Sequence, residues 1–192
     1  MALNAYARAA TDRIVVPIGR GLVRMGATAN WLTFTGLVLT VAGIAILLAG
    51  YRLAGGIVAG VAAVTDAFDG TVARLRGTSG PLGAFYDSVT DRVSDAVIFG
   101  AAAWLVRDDP LLFGVAIVAF GGAQVTSYIR AKAESLGWKA TVGIMERAER
   151  TLVILVAMGF GFEAIGVWVC AIGSVVTIAQ RLRVVLAQAR TA

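Results

Sequence analysis

The hydrophobic positions of the chain form six long runs, which short polar segments separate. A helix that crosses the hydrocarbon core of a bilayer needs roughly 20 mostly apolar residues. Runs of this kind lie at residues 31–49, 53–73, 82–105, 111–136, 150–162 and 164–186. Residues 74–81 contain two glycines and a proline, so they are predicted to form a loop between the second and third runs. The pattern predicts an all-α integral membrane protein with six transmembrane helices.

Residues 1–27 differ from these runs because arginines interrupt every apolar stretch, which excludes a cleavable signal peptide. The apolar positions fall close to one helical stripe, formed by Ile14, Val15, Ile18, Leu22 and Met25. The segment is therefore predicted to be an N-terminal amphipathic juxtamembrane helix that lies on an anionic leaflet. The alternative is a soluble helix that packs on the bundle. The predicted organisation is this segment at residues 1–27, followed by one transmembrane domain at residues 28–192.

The composition agrees with a membrane protein and limits its chemistry. Hydrophobic residues make up 58% of the chain and charged residues 15%, whereas a soluble domain averages about 45–50% and about 25%. The chain has one cysteine, Cys170, and no histidine. These counts exclude a disulfide framework, a cysteine-rich zinc site and the commonest general base. Any catalysis must therefore use carboxylates, arginines, lysines and hydroxyl groups.

The basic excess is best explained by topology. The chain has 17 Lys and Arg against 12 Asp and Glu, a net charge of +5, which alone is compatible with nucleic-acid binding. With six spans, 14 of the 17 basic residues fall on the side that carries both termini. Because Lys and Arg favour the cytoplasmic side of a membrane, both termini are predicted to be cytoplasmic in a multi-pass plasma-membrane protein that binds no nucleic acid.

Five aspartates lie within the second and third predicted helices, where an ionised carboxylate costs about 2.5–3.5 kcal/mol on insertion scales. Their spacings of three and four residues place them on one face of each helix. They are Asp66 and Asp69 on the second helix and Asp87, Asp91 and Asp95 on the third. Antiparallel packing of the two helices brings the acids together near the cytoplasmic surface. Four converging carboxylates without histidine or cysteine favour Mg²⁺ or Mn²⁺, and two ions are needed to balance their charge.

Small residues beside these acids indicate what the ions hold. Gly70, Ala73 and Gly83 leave a smooth wall against which a phosphate backbone can lie. The planar guanidinium of Arg74 fits phosphate oxygens. Metal ions, an arginine and a small-residue wall together predict a nucleotide substrate with a pyrophosphate group.

The segment that contains the first four aspartates resembles the signature of a known family. Residues 66–91 read DAFDGTVARLRGTSGPLGAFYDSVTD, which fits without a gap the signature D-x2-D-G-x2-A-R-x8-G-x3-D-x3-D of the CDP-alcohol phosphotransferases. The resemblance extends over essentially the whole chain, because the family is a six-helix membrane bundle preceded by a juxtamembrane helix. It implies a cytosol-facing cavity, a homodimer, and transfer of a phosphatidyl group from CDP-diacylglycerol to an alcohol with release of CMP.

The resemblance also implies roles for individual residues. It assigns Asp66, Asp69, Asp87 and Asp91 to a two-metal site, with Asp91 also the general base that takes the proton of the acceptor hydroxyl. The implied residues of the CDP-diacylglycerol pocket are Asp69, Gly70, Ala73, Arg74 and Gly83. Asn30 and Thr33 match a looser Pro-Asn-x-x-Thr pattern in which Ala29 replaces the proline. The alternative for Asn30 is capping of the first helix.

Five basic residues from the fourth to the sixth run indicate what kind of acceptor alcohol the site binds. They are predicted to surround the mouth of the cavity and to bind a phosphorylated alcohol: Arg130, Lys132, Arg147, Arg150 and Arg181. Residues 91–95 (DRVSD), 127–134 (SYIRAKAE) and 146–150 (ERAER) resemble the actinobacterial branch of the family that makes phosphatidylinositol phosphate from inositol 1-phosphate (myo-inositol 3-phosphate). The alternative is that these basic residues only orient the protein and bind lipid head groups.

Asp95 has two interpretations. It is expected to accept hydrogen bonds from inositol hydroxyls, or else to pair with Arg92 or with a basic residue on another helix. Two other functions remain as alternatives: a glycerol 3-phosphate acceptor within the same family, and an ion transporter. A transporter predicts acids spread through the membrane depth, or broken helices in repeated halves. Here the acids lie within residues 66–95, and the sequence shows no internal repeat.

Overall fold

The computed structural model describes residues 15–78 and 80–190, except for the side chains of Asp66 and Ala67. Residues 15–24 are helical, and no strand occurs in the described ranges. Six longer helices follow: α1 (Ala29–Leu48), α2 (Arg52–Arg76), α3 (Pro81–Leu105), α4 (Pro110–Ser135), α5 (Arg147–Phe160) and α6 (Glu163–Ala189). Each lies within three residues of a run predicted from the hydrophobic pattern. The all-α class is confirmed.

Two local predictions at the helix ends are wrong. The N-cap of α1 is Thr28, whose hydroxyl accepts from the backbone N–H of Trp31 at 3.2 Å, and not Asn30, which lies inside the first turn. The predicted loop at residues 74–81 begins three residues later, because α2 continues through Arg76 to the left-handed Gly77 (φ 66°). Arg74 therefore lies in the last turn of α2, where its positive charge complements the helix C-terminus.

Four of the six helices are long and apolar enough to cross a membrane: α1, α2, α4 and α6. Three aspartates and Arg92 interrupt the apolar sequence of α3. Helix α5 has 14 residues, which correspond to about 21 Å at about 1.5 Å per residue, less than the roughly 30 Å of a bilayer core. Length and composition alone therefore identify four membrane-spanning candidates.

The N-terminal segment is described only in part. Ile14 of the predicted stripe lies outside the described residues, as do Arg8 and Arg13. Within the described part, Ile18 is 45% exposed. A Cβ placed on Gly19 would lie 3.0 Å from Cγ2 of Thr71, so this segment touches the end of α2 that carries the aspartate motif.

Packing between the helices depends on small residues and on one ion pair far from the motif. The backbones of α1 and α2 approach closely at Gly43, where a Cβ would lie 2.6 Å from the main-chain nitrogen of Ala59. At the beginning of α2, the guanidinium of Arg52 pairs with the carboxylate of Glu163 at the beginning of α6. Cys170 is fully buried in the core. Helix α2 thus packs between α1 on one side and α5 on the other, and the ion pair ties its beginning to α6.

Candidate active site

A cavity of about 1320 Å³ opens among α2, α3, α4, α5 and α6. Three aspartates and five arginines line its polar part: Asp69, Asp87, Asp91, Arg92, Arg130, Arg147, Arg150 and Arg181. Toward the start of α2 and the end of α5 the walls become apolar, with Leu53, Ile57, Val64, Leu152, Val156 and Phe160. One continuous cavity thus joins a charged chamber to an apolar groove between α2 and α5.

A hydrogen bond from α1 holds the carboxylate of Asp69. Its carboxylate is 7% exposed, and Oδ2 accepts a hydrogen bond of 2.7 Å from Oγ1 of Thr33. Thr33 is itself 8% exposed and does not line the cavity. The structure therefore places Thr33 against a predicted metal ligand and not on the cavity wall.

Asp91 lies between two arginines. Its Oδ1 is 2.8 Å from Nη1 of Arg147, and its Oδ2 is 3.6 Å from Nη2 of Arg92. Asp87 lies one turn earlier on α3 and lines the same cavity. Asp69, Asp87 and Asp91 thus line the same cavity, and their convergence on a common ion site stays a prediction.

The donor set suits a hard divalent cation, because carboxylate oxygens are the ligands that Mg²⁺ and Mn²⁺ prefer. Among the side chains that the structure describes, no three Asp, Glu or Cys come close enough together to complete an ion site. The fourth predicted ligand, Asp66, precedes Asp69 by three residues on α2, and its side chain lies outside the description. The four-carboxylate centre therefore stays a prediction, compatible in chemistry with the three acids in the cavity.

The predicted acceptor residues divide into three groups. Arg150 and Arg181 are buried, at 1% and 3% exposure, although both reach the cavity. Arg130 lies at the rim and pairs with Glu134 at 3.0 Å. Lys132 is exposed and does not line the cavity. Four of the five predicted basic residues therefore line the cavity, namely Arg130, Arg147, Arg150 and Arg181.

Backbone carbonyls hold the guanidinium of Arg181. Its Nε donates to the carbonyl oxygen of Val142 at 2.8 Å, and its Nη1 donates to that of Thr126 at 2.7 Å. Its Nη2 is 3.7 Å from the carboxylate of Glu146. Arg181 therefore ties the loop before α5 to α4 as well as reaching the cavity.

Asp95 lies behind the arginines. It is 1% exposed, and Oδ1 is 3.3 Å from Nε of Arg147, while Oδ2 is 3.9 Å from Nη2 of Arg150 and 4.0 Å from Nε of Arg92. Its carboxylate does not line the cavity. The structure shows the pairing with Arg92 and with arginines on another helix, and the expected contact with an inositol hydroxyl stays a prediction.

Apart from Asp69, the predicted nucleotide residues lie outside the cavity lining. Gly70, Arg74, Gly83 and Asn30 are exposed, and Ala73 is half-buried. Nη2 of Arg74 donates to Oγ1 of Thr71 at 2.9 Å. For a Cβ placed on Gly83, no described atom beyond the adjacent stretch of its own helix lies within 4 Å. The small-residue wall therefore lies at the exposed facing ends of α2 and α3, and its role in nucleotide binding stays a prediction.

Sequence reasoning missed Arg92 as a cavity residue and Thr33 as the partner of Asp69. Arg92 directly follows Asp91, so its position beside the acids was visible in the sequence. No local pattern indicated the pairing of Thr33 with Asp69, because the two residues are 36 positions apart.

Comparisons with known proteins agree with the motif. The model of the CDP-alcohol phosphatidyltransferase family matches residues 27–179. The chain is 37% identical to the phosphatidylinositol phosphate synthase of Mycobacterium tuberculosis, with 95% of this chain and 90% of that protein aligned. It is 38% identical to the protein of the same name from Streptomyces avermitilis, with 94% of this chain and 81% of that protein aligned.

Two solved structures are similar over most of the fold. One is the Mycobacterium tuberculosis phosphatidylinositol phosphate synthase with CDP-DAG bound, at a TM-score of 0.80 and 34% identity, covering 90% of this chain and 94% of that chain. The other is the same protein in complex with manganese and citrate, at a TM-score of 0.81 and 33% identity, covering 90% and 89%. The resemblance and the enzyme class predicted from the motif are confirmed. The chain belongs to the CDP-alcohol phosphatidyltransferase family.

Proposed function

We propose that the protein transfers the phosphatidyl group of CDP-diacylglycerol to inositol 1-phosphate (myo-inositol 3-phosphate), giving phosphatidylinositol phosphate and CMP. The supporting observation is the cavity in which carboxylates, arginines and an apolar groove are continuous. A lipid with a charged head group needs both environments, because its acyl chains gain from apolar burial and its phosphates need cationic partners.

The reaction is a displacement at phosphorus. The acceptor hydroxyl attacks the phosphorus of the phosphatidyl group, the bond from that phosphorus to the bridging oxygen of the pyrophosphate breaks, and CMP leaves. Asp91 takes the proton of the hydroxyl, since a positioned carboxylate is an effective general base when neighbours tune it. Asp66, Asp69, Asp87 and Asp91 are the residues that would hold two Mg²⁺ or Mn²⁺ ions, whose charge stabilises the phosphate oxygens.

The donor is proposed to lie along the α2–α5 side of the cavity, with its acyl chains in the apolar groove. Its nucleotide would extend toward the exposed ends of α2 and α3. The residues proposed to contact it there are Asp69, Gly70, Ala73, Arg74, Gly83 and Asn30, with Thr33 acting through Asp69. The small side chains of this region leave room for a flat base.

The acceptor phosphate is proposed to bind the cavity arginines Arg130, Arg147, Arg150 and Arg181, with Lys132 at the outer rim. Two of them are buried beside the carboxylates, and a buried guanidinium gains most from a dianionic partner. A phosphorylated acceptor offers these guanidinium groups phosphate oxygens as partners, which a neutral acceptor lacks. The names of the relatives from actinobacteria support the same acceptor.

We further propose six membrane spans, with both termini and the cavity on the cytoplasmic side. Although α3 carries acids, it also has exposed apolar side chains outside the cavity lining, Leu82 and Val93, that are suited to lipid. The basic residues near the helix ends support this orientation. The juxtamembrane segment at residues 1–27 and a homodimer complete the proposed architecture.

An acceptor panel tests the proposal. Purified protein in detergent receives CDP-diacylglycerol, Mg²⁺ or Mn²⁺, and one of inositol 1-phosphate, glycerol 3-phosphate, inositol or serine, and release of CMP is measured. We expect turnover with inositol phosphate and none with inositol or serine. Turnover with glycerol 3-phosphate alone would refute the acceptor and keep the family chemistry. A parallel reaction without acceptor measures hydrolysis of the donor and serves as the baseline.

A further inference from the structure

Arg147 bridges two carboxylates on successive turns of α3. Its Nη1 is 2.8 Å from Oδ1 of Asp91, and its Nε is 3.3 Å from Oδ1 of Asp95. Asp91 is partly exposed in the cavity, whereas Asp95 is 1% exposed behind it. The guanidinium of Arg147 is thus held at its base by a buried carboxylate while its tip reaches the cavity.

Asp95 also faces two other guanidinium groups. Nη2 of Arg150 and Nε of Arg92 lie 3.9 and 4.0 Å from its Oδ2. These separations allow charge pairing but exceed hydrogen-bond length. Among the described atoms, Oδ2 of Asp95 and Nε of both arginines have no hydrogen-bond partner. Nη1 and Nη2 of Arg150 donate to the carbonyl oxygens of Met145 and Ala123 at 3.4 and 3.5 Å. Asp95 therefore balances the charge of Arg92 and Arg150 through charge pairing alone.

The three positive charges around Asp95 explain why a carboxylate is needed at this position. Arg150 is 1% exposed, and an unpaired buried charge is strongly unfavourable. Three guanidinium groups near one another also repel, and only Asp95 approaches all three within 4.0 Å in the described part of the chain. Without its charge, the arginines would be expected to spread apart or to turn onto Asp91.

We infer that Asp95 is a positioning residue for the acceptor phosphate: it holds the guanidinium groups of Arg147 and Arg150 in place at the cavity and does not touch the acceptor itself. This inference rests on the proposed function, in which those arginines bind the phosphate. It differs from direct recognition of inositol hydroxyls, because it ties Asp95 to the phosphate group and not to the ring.

Asp95→Asn separates these two roles. If Asp95 acts through the arginines, the acceptor KM rises about tenfold, as expected when hydrogen bonds to a charged group are misaligned. The inhibition constant of sulfate, a tetrahedral dianion that competes for the phosphate position, rises in parallel, and the KM for CDP-diacylglycerol stays unchanged. If Asp95 binds ring hydroxyls, the acceptor KM rises while inhibition by sulfate stays as in the wild type, which would overturn the inference.

Glu163→Gln is the matched control, because it also removes a buried carboxylate that pairs with an arginine, but at the opposite ends of α2 and α6. It is expected to lower thermal stability without changing either the acceptor KM or sulfate inhibition. Should Asp95→Asn fail to fold, Asp95→Glu keeps the charge and displaces the carboxylate by one methylene group. An unchanged acceptor KM and sulfate constant in that variant would also overturn the inference. Failure of the wild type to use inositol phosphate would instead refute the proposed function.

Discussion

Oγ1 of Thr33 on α1 lies 2.7 Å from Oδ2 of Asp69 on α2, and both residues are buried. The hydroxyl of Thr33 has one proton and two acceptors in reach, since the carbonyl oxygen of Ala29 is 3.0 Å away. The carboxylate is the closer acceptor and carries charge, which makes the hydrogen bond to it the stronger one. Thr33 thus fixes the rotamer of an acid that faces the cavity.

Replacing Thr33 by valine removes this hydrogen bond while nearly preserving the shape of the side chain. We expect the Mg²⁺ concentration for half-maximal turnover to rise roughly tenfold, the loss typical of a hydrogen bond to a charged group. Binding of Mn²⁺ followed by electron paramagnetic resonance provides a readout independent of turnover. Thr33→Ser keeps the hydroxyl and should resemble the wild type. Equal Mn²⁺ affinity in all three proteins would contradict a role of Thr33 in orienting Asp69.

The contact of α1 with α2 at Gly43 leads to a second prediction. A Cβ at this position would lie 2.6 Å from the main-chain nitrogen of Ala59 and 2.8 Å from the carbonyl oxygen of Gly55. Backbone atoms within a helix cannot move aside without separating the two helices. Gly43→Ala should therefore destabilise the protein by about 1–3 kcal/mol, seen as earlier thermal unfolding in detergent. Gly114→Ala is the control, because no described atom beyond the adjacent stretch of its own helix lies within 4 Å of the added carbon, and it should unfold no earlier than the wild type.

Features that depend on residues close together in the sequence could be predicted, and features that depend on distant residues could not. Apolar runs located all six helices, because hydrophobic length is a local property of the chain. The glycines and the proline of residues 74–81 predicted a loop over that whole segment, whereas α2 continues to the left-handed Gly77. The spacing of the acids predicted one cavity wall from α2 and α3, since residues four apart share a helix face.

Contacts between distant positions could not be predicted in this way. Arg147 meets Asp95 across 52 positions, and no periodicity links the two. The assignment of Asp95 to inositol hydroxyls followed from its place in a stripe of acids, yet its side chain lies one turn deeper than Asp91 and meets arginines from α5. The sequence motif thus identified the chemistry of the site, whereas the division between cavity-lining and supporting residues required the packing of the helices.

The loop before α5 is held by side chains of α6, and Gln188 makes two of these contacts. Its Oε1 accepts from the backbone N–H of Lys139 at 2.9 Å, and its Nε2 donates to the carbonyl oxygen of the same residue at 2.7 Å. Gln188→Ala removes both bonds, each worth about 1 kcal/mol net. We expect faster hydrogen exchange at the amide of Lys139, measured by mass spectrometry. Gln188→Glu keeps the acceptor and loses the donor, so its exchange should be intermediate. Exchange at wild-type rates in Gln188→Ala would show that Arg181, whose Nε donates to Val142, holds the loop without it.

Asp91→Asn tests the general base. In the wild type, Nη1 of Arg147 lies 2.8 Å from Oδ1 of Asp91. Asparagine keeps the size of the side chain and an oxygen that can accept from Arg147. It cannot take a proton from the acceptor hydroxyl. Turnover should fall about 10²- to 10⁴-fold, the range for loss of a positioned general base. Binding of CDP-diacylglycerol should be largely retained, because Asp69 and Asp87 remain in the cavity wall. The measurement is CMP release at saturating substrates beside equilibrium binding of the donor in the same detergent.

The matched variant is Asp87→Asn, which removes a cavity carboxylate from the same face of α3 one turn earlier. If Asp87 serves only in metal binding, higher Mg²⁺ should restore part of its turnover, whereas no Mg²⁺ concentration should rescue Asp91→Asn. Both carboxylates carry the same charge and line the same cavity, so a difference in rescue isolates proton transfer from charge balance. Near-normal turnover of Asp91→Asn, or rescue equal to that of Asp87→Asn, would assign the base to another residue.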